Sequence, residues 1–240
     1  MIETESRGEL RLVNKIPRKT AEEAGSGSRL SDVAYARILE ILFSRKLPAG
    51  SFVSQAELVE LTGVPVGPLR DALRVLEAEG VLKIHPRTGI QFVKPGFELT
   101  RSSFQFRGII EAAAVAIFVD VASESEIANM AQKHNDVIAE VERDGLTVAI
   151  VEEIEALEQL LHGTIVASLN NPLVDAAYRR IHNYLRLLRL DRRITKPLAL
   201  RTLHEHVEII DACRRRDSAA AVAALQAHFS AALQRNLGLY

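Results

Sequence analysis

The sequence predicts a mainly α-helical protein in which a small winged helix-turn-helix domain precedes an all-helical bundle. Three observations support this fold class. Residues 29–95 combine three short helical patterns with one β-hairpin pattern. Residues 96–240 contain no further strand pattern and divide into about six helical segments. The length of 240 residues also suits two domains better than one small core.

The elements of the first domain follow from local signals. Residues 1–28 are polar, mixed in charge and end in AGSGS, which predicts a flexible arm. A first helix starts near Ser31 and stops at the turn LPAG. Ser54 and Glu57 form a capping-box pattern that opens a short helix over 54–61. A third helix is predicted over 65–79, followed by a hairpin made of VLKIH and GIQFV.

The second domain shows helical patterns at about 101–122, 124–143, 147–169, 172–193, 197–215 and 218–237. Asn171-Pro172 supplies a cap followed by proline at the first helical position, and Asp217 can cap the last helix. The sequence therefore predicts a bundle of about six helices.

Composition and charge restrict the classes of function. No apolar run approaches the roughly 20 residues of a membrane span, and the N-terminus does not have the pattern of a signal peptide. Cys213 is the only cysteine, so we expect a cytoplasmic protein without an intrachain disulfide. The net charge is −1, but residues 29–97 carry nine basic against seven acidic side chains. This excess is small, so the placement of the basic residues matters more than their number.

A winged helix-turn-helix of this size is typical of DNA-binding proteins. The N-terminal end of the helix at 65–79 would enter the major groove, where Arg70 points away from the buried leucines. The hairpin tip would reach the neighbouring groove through its three turn residues, Arg87, Thr88 and Gly89. Arg70 taken alone is equally compatible with an ordinary solvated helix residue.

Four residues of the helical domain suit a metal site. Glu158 and His162 are four positions apart and share a helix face. His206 and His228 fall on the apolar stripes of two other helices. Imidazole and carboxylate ligands suit Zn, Ni, Mn or Fe. Spacing alone leaves the alternative open that these are hydrogen-bonded core histidines.

The first domain resembles the DNA-binding domain of the GntR family over residues 31–94. The resemblance includes the turn PAG, the run Pro68-x-Arg-acid-Ala-Leu and the Arg-x-Gly of the wing. The family usually has Ser/Thr-Arg at the start of the recognition helix, where this chain has Pro65, Val66 and Gly67. DNA recognition would then depend on Gln55, Arg70 and Arg87. Loss of DNA binding with retention of the fold is the alternative.

The second domain is similar to the FCD ligand-binding domain of the FadR-type branch of that family. Matching motifs are Arg107-x-x-x-Glu111, His162 followed by LNNPL, Glu205-His206, and Asp217 followed by His228. The resemblance implies that a divalent metal is held by the same four residues, although the family usually has Asp where this chain has Glu158. It also implies a small carboxylate effector. We expect Arg107 to clamp it bidentately, with Arg186 as a weaker candidate. An ion pair between Arg107 and Glu111 is the alternative.

Together these features predict a ligand-operated transcription regulator rather than an enzyme. A homodimer would present two recognition helices to a pseudo-palindromic operator, and a small carboxylate would release it, since repression relieved by effector is the commoner pattern in the family. Two alternatives remain. One is a metal-dependent hydrolase, in which the His/Glu site activates water. The other is a metal or ligand sensor with a degenerate DNA-binding head.

Overall fold

A computed structural model describes residues 30–44, 46–190 and 194–238. The arm predicted for residues 1–28 and the predicted helical end at 191–193 lie outside the described residues. The described elements, in chain order, are α1 (Leu30–Phe43), β1 (Phe52–Val53), α2 (Gln55–Thr62), α3 (Val66–Ala78), β2 (Leu82–His85), β3 (Gly89–Phe92), α4 (Phe97–Val121), α5 (Glu124–Asp144), α6 (Val148–Ala167), α7 (Pro172–Leu190), α8 (Lys196–Arg214) and α9 (Ser218–Leu237). None of the helices in these ranges is long and apolar enough to cross a membrane.

The N-terminal elements, α1 to β3, form a winged helix-turn-helix, called the DNA-binding head below. The predicted capping box is present: the Ser54 hydroxyl accepts a hydrogen bond from the Glu57 amide, and the Glu57 carboxylate accepts one from the Ser54 amide. Gly63 ends α2 in the left-handed conformation, with φ of 65°. The buried leucines of α3 pack against α1, which leaves the opposite face of α3 exposed.

The wing has three strands, where the sequence indicated only a two-stranded hairpin. β1 pairs with β3 in a sheet of order β1-β3-β2. A strand of two residues is too short to show alternation in a sequence. The close approach of β1 to the start of β3 explains why residue 89 is a glycine, with a φ of +123°. A Cβ at this position would lie 2.7 Å from the carbonyl oxygen of Val53. Arg87, at the wing tip, also has a positive φ of 67°.

The C-terminal elements, α4 to α9, form the predicted six-helix bundle. α4 and α8 both pack extensively on α9, and α5 packs on α8. The first helix begins at Phe97, four residues before the predicted start, and Thr100 donates a hydrogen bond to the carbonyl of Gly96. Two apolar clusters fill the bundle, one centred on α4, α8 and α9 and the other between the ends of α5, α6 and α8.

Helix α7 joins the bundle to the DNA-binding head. Leu187 is 1% exposed and belongs to the apolar core of the head. The hydroxyl of Tyr184 donates a 2.6 Å hydrogen bond to the carbonyl of Glu79, at the end of α3. Asn183 donates to the hydroxyl of Tyr35 in α1. The two parts of the chain are therefore connected by packing and by polar contacts.

Gly80 offers a test of this junction. Its φ is +71°, and a Cβ would lie 2.1 Å from the Tyr184 hydroxyl. Gly63, which ends α2, has a similar φ of +65°, and the nearest atom to a Cβ there is the end of the Arg37 side chain, 3.4 Å away. We expect Gly80→Ala to lower the free energy of unfolding by more than Gly63→Ala, which carries mainly the left-handed strain of about 1–2 kcal/mol. Urea denaturation of both variants measures this. Adding Tyr184→Phe to the Gly80 variant should recover part of the difference, and equal losses in the two single variants would contradict the account.

Candidate functional site

The four residues singled out as metal ligands lie together in the interior of the bundle. Glu158 and His162 come from α6, His206 from α8 and His228 from α9. One ligand atom of each lies within 4.8 Å of the others, and all four side chains are buried. We call this set the four-ligand cluster. Its members converge because each occupies the inward stripe of its helix.

A hydrogen-bond relay sets the tautomer of His206. His134 in α5 lies 2.8 Å through Nδ1 from the Met130 carbonyl, which can only accept, so this Nδ1 carries the proton. The Nε2 of His134 is therefore an acceptor, and it lies 3.3 Å from Nδ1 of His206. His206 must donate from Nδ1, and its Nε2 keeps a free lone pair that faces the cluster.

Carboxylates orient the other two histidines in the same way. Nδ1 of His162 lies 2.7 Å from Glu111, and Nδ1 of His228 lies 2.8 Å from Glu205. Glu205 is itself held by two hydrogen bonds from Arg235, of 2.6 and 2.7 Å. Carboxylates and carbonyls behind the ligand imidazoles are the usual outer partners of metal-binding histidines.

The electrostatics of the cluster suit neutral imidazole ligands. Burial lowers the pKa of His162 well below its usual range and also lowers the pKa of His206. The Nε2 atoms of His162 and His206 are buried and have no hydrogen-bond partner among the described residues. A buried nitrogen without a partner is costly. Neutral imidazoles that aim free lone pairs at one carboxylate fit a divalent cation.

Glu158 supplies a carboxylate that stays ionised. Burial by itself would raise its pKa, but Arg189 in α7 holds the pKa well below its usual range. Arg189 donates a short hydrogen bond to Glu158. The other carboxylate oxygen of Glu158 lies 3.4 Å from Nε2 of His206 without the geometry of a hydrogen bond. The glutamate therefore reaches the cluster although the family usually has the shorter aspartate.

Arg107 lies beside the cluster and forms the ion pair with Glu111 that was the alternative to an effector contact. It is 3% exposed, and its Nε donates a 2.5 Å hydrogen bond to the fully buried Glu111. Its guanidinium lies over the ring of Phe229, 4.5 Å from the centroid. The two Nη atoms of Arg107 make no hydrogen bond to any of the described residues, and the side chain lines a cavity. The Nη edge of the guanidinium is therefore available to an anion.

The cavity has a volume of about 760 Å³ and lies among α4, α6, α7, α8 and α9. Arg107, Glu158, Arg189 and His228 line its inner end. Arg186, the weaker effector candidate, also lines it, but its Nε lies 3.4 Å from Glu155 and its guanidinium stacks 3.6 Å above the ring of Phe43.

The sequence did not identify the residues that orient the three histidines of the cluster through hydrogen bonds. His134 has no motif partner, but it falls on the buried stripe of α5 together with Met130, Val137 and Val141, and that position is the signal that could have identified it. Glu205 appears in the sequence only as part of a family motif. Its role depends on His228 and Arg235, which are distant along the chain.

The predicted DNA-contact residues lie in two places in the head, around the starts of α2 and α3 and at the tip of the wing. Pro65, Gly67 and Arg70 are exposed, and so is Val66, which is 44% accessible. Gln55 is half-buried and accepts a hydrogen bond from Nε of Arg70, 3.3 Å away, which links α2 to α3. At the wing tip Arg87 and Thr88 are exposed and Gly89 is half-buried. The start of α3 is thus free to meet a groove, but it presents an apolar side chain there.

Comparison with known proteins gives two family matches. The model of the gntR family of bacterial regulatory proteins matches residues 30–92, and the model of the FCD domain matches residues 102–231. The chain is 23% identical over 196 residues to YdhC, described as an uncharacterized HTH-type transcriptional regulator, from Bacillus subtilis (strain 168), with 82% of this chain and 86% of that protein covered.

Two solved structures have the same fold. McbR/YncC from E. coli aligns with a TM-score of 0.74 at 17% identity, over 89% of this chain and 99% of that one. A putative GntR transcriptional regulator from Rhodococcus sp. RHA1 aligns with a TM-score of 0.72 at 18% identity, over 88% and 98% of the respective chains.

Proposed function

The chain belongs to the gntR family of bacterial regulatory proteins and carries an FCD domain, and from this premise we propose that it is a repressor of the FadR-type branch, released from operator DNA by a small carboxylate. It is a ligand-responsive regulator and not an enzyme, so we set the hydrolase alternative aside. The observation that carries the proposal is the position of α7. Arg186 and Arg189 of this helix line the cavity, while Tyr184 and Leu187 pack on the DNA-binding head.

The four-ligand cluster is the proposed site of a divalent metal ion, of which Zn, Ni, Mn and Fe are the candidates. The Nε2 atoms of His162, His206 and His228 and the carboxylate of Glu158 would hold it. Support comes from the two buried nitrogens that have no partner within the described part of the chain, and from the acceptors behind all three imidazoles. When bound, the ion supplies positive charge at the inner end of the cavity.

Arg107 is the proposed anchor of the carboxylate. Its Nε is committed to Glu111, so the two Nη atoms remain for bidentate contact with a carboxylate. Arg186 is a proposed second contact. It can reach the effector only by giving up part of its pairing with Glu155 or its stacking on Phe43. A coupling free energy of about 1–3 kcal/mol between effector and DNA is enough for useful regulation.

For DNA recognition we propose a homodimer, acting in the cytoplasm, that places the start of α3 in the major groove of each half-site. The proposed contacts are Gln55, Pro65, Val66, Gly67 and Arg70 in the major groove and Arg87, Thr88 and Gly89 at the wing. The proposed domain limits are 29–95 for the head and 96–240 for the effector domain. Because Val66 carries no charge, Arg70 should account for a large share of the base or phosphate contacts.

Substitution of Arg70 tests the DNA-binding surface. On a duplex that the protein itself selects from a randomised library, we expect Arg70→Ala to weaken binding by about 1–3 kcal/mol, roughly 5- to 150-fold, because one charged contact is lost. Arg143→Ala removes another exposed arginine, at the C-terminal end of α5, and should leave binding unchanged. Fluorescence anisotropy across a salt series measures both variants. Equal affinities for the two, or no binding by the wild type, would favour a degenerate head instead.

A further inference from the structure

The polarity of the cavity changes along its length. The inner end holds charged groups, including Arg107, Glu158 and Arg235. The opposite end is mainly apolar, although Glu152 and Glu155 of α6 also line the cavity. Its apolar lining comes from the first turns of α6 and α8 and from the segments just before these helices. The apolar residues there are Leu146, Val148, Val151, Ile154, Ile194 and Leu198. Val148 is 79% exposed, which identifies this end as the mouth. The cavity is therefore amphipathic.

Helix α6 gives the length of the cavity. Val148 and Glu158 both line it and are ten residues apart on this helix, which corresponds to about 15 Å at the α-helical rise. The volume of about 760 Å³ lies in the upper part of the range of roughly 300–1,000 Å³ that is usual for pockets of drug-sized ligands. A two- to six-carbon acid bound at Arg107 would leave the apolar end unfilled.

The arginines at the inner end offer donors for one anionic group. Three of the arginines that line the cavity are already paired with acids: Arg186 with Glu155, Arg189 with Glu158, and Arg235 with Glu205. Arg107 keeps its Nη edge, next to the four-ligand cluster. Further carboxylates would have to bind the metal ion or break these pairs, whereas a single carboxylate at Arg107 leaves the pairs intact.

The cavity wall also includes part of the DNA-binding head. Phe43 and Ser44, at the end of α1, line it together with the bundle helices. Arg186 stacks on Phe43 and at the same time pairs with Glu155 of α6. A ligand that extends from the inner end toward the mouth therefore passes a residue of the head itself.

We propose that the effector is an amphipathic monocarboxylic acid, with its carboxylate at Arg107 and the four-ligand cluster and its apolar body extending along α6 to Phe43 and Val148. This proposal rests on the function proposed above and specifies its ligand. The body of the ligand lies between the bundle and the head, so it changes their contact directly. An acid too short to reach Phe43 occupies the inner end without changing the affinity for DNA.

Calorimetric titration of the full chain, loaded with Zn²⁺, with acetate, hexanoate and decanoate tests the ligand class. We expect affinity to rise about fourfold for each methylene that becomes buried. Decanol, which lacks the carboxylate, and citrate, which carries three, should both bind more weakly than decanoate. An affinity that does not change from acetate to decanoate, or citrate as the tightest ligand, would overturn the proposal.

Two variants locate the apolar body. Phe43→Ala removes the wall from the head, and Val148→Glu places a charge at the mouth on a residue too exposed to affect folding. Both should reduce decanoate affinity at least tenfold and leave acetate affinity unchanged. Phe97→Ala, an exposed phenylalanine outside the cavity, is the matched control. If Val148→Glu behaves like the control, the ligand does not reach the mouth and the proposal fails.

These titrations contain no DNA, so they distinguish the two proposals. If affinity does not rise from acetate to decanoate but the protein still binds the selected duplex, only the proposed ligand class is wrong. If affinity rises with chain length but the protein selects no duplex, only the proposed regulator function is wrong. On the selected duplex, decanoate should change the dissociation constant at least fivefold while acetate leaves it unchanged, and the same response to both acids would contradict the role of Phe43.

Discussion

The His206→Ala protein is expected to bind almost none of the divalent metal proposed for the four-ligand cluster, with a drop in affinity that exceeds the roughly 10–100-fold effect of removing an outer partner. The substitution removes one of the two buried Nε2 atoms that have no hydrogen-bond partner among the described residues. It also disconnects the relay from His134 and the Met130 carbonyl. Elemental analysis after dialysis against limiting Zn²⁺ measures the metal content of each chain.

His204 provides the matched control, because it lies two residues away on the same helix but is exposed. His204→Ala should bind metal like the wild type. The wild-type melting temperature should rise with added Zn²⁺, since a ligand that binds only the folded state stabilises it. His206→Ala should show no such rise. Equal metal content in the two variants would contradict the assignment of the four-ligand cluster.

The second large effect is expected for Arg107→Met, which should lower the free energy of unfolding by about 3–5 kcal/mol. Arg107 and Glu111 are 3% and 0% exposed, so the substitution leaves a carboxylate buried without its cation. Burial already raises the pKa of Glu111, and Arg107 counteracts this shift. Urea denaturation, followed by circular dichroism at neutral pH, measures the loss.

A surface pair on the same helix gives the comparison. Arg101 and Glu98 form an i,i+3 pair with 50% and 75% of their side chains exposed. Such pairs contribute less than about 1 kcal/mol, so Arg101→Met should have a small effect. Combining Arg107→Met with Glu111→Leu should recover only part of the stability, because Nδ1 of His162 then loses its acceptor. A loss for Arg107→Met as small as that for Arg101→Met would show that the pair is solvated.

Much of the architecture could be predicted because the local signals are strong. The capping box at Ser54, the left-handed Gly63 and the inward stripes of the bundle helices define the elements within a few residues. The convergence of the four-ligand cluster was predicted from an i,i+4 pair and two stripe histidines together with the family resemblance, since spacing alone was equally compatible with hydrogen-bonded core histidines. Residue-level roles at the cluster and on the DNA surface remain predictions.

Contacts between distant segments could not be predicted. The strand β1 has only two residues and exists because β3 pairs with it. The stacking of Arg186 on Phe43 joins residues 143 positions apart and depends on how α7 lies against the head. The hydrogen-bond partners of the ligand histidines could not be predicted for the same reason, because His134 reaches His206 only through the packing of α5 on α8. Helical periodicity shows which face is buried but not which residue it meets.

The most direct test of the regulator account is selection of DNA from a randomised duplex library by the metal-loaded protein, followed by measurement of stoichiometry on the enriched sequence. The account predicts an inverted repeat whose half-site centres are about one helical turn apart, bound by two chains, with affinity that falls steeply as salt rises. An enriched pool with no common sequence, or binding by single chains to unrelated duplexes, would contradict it.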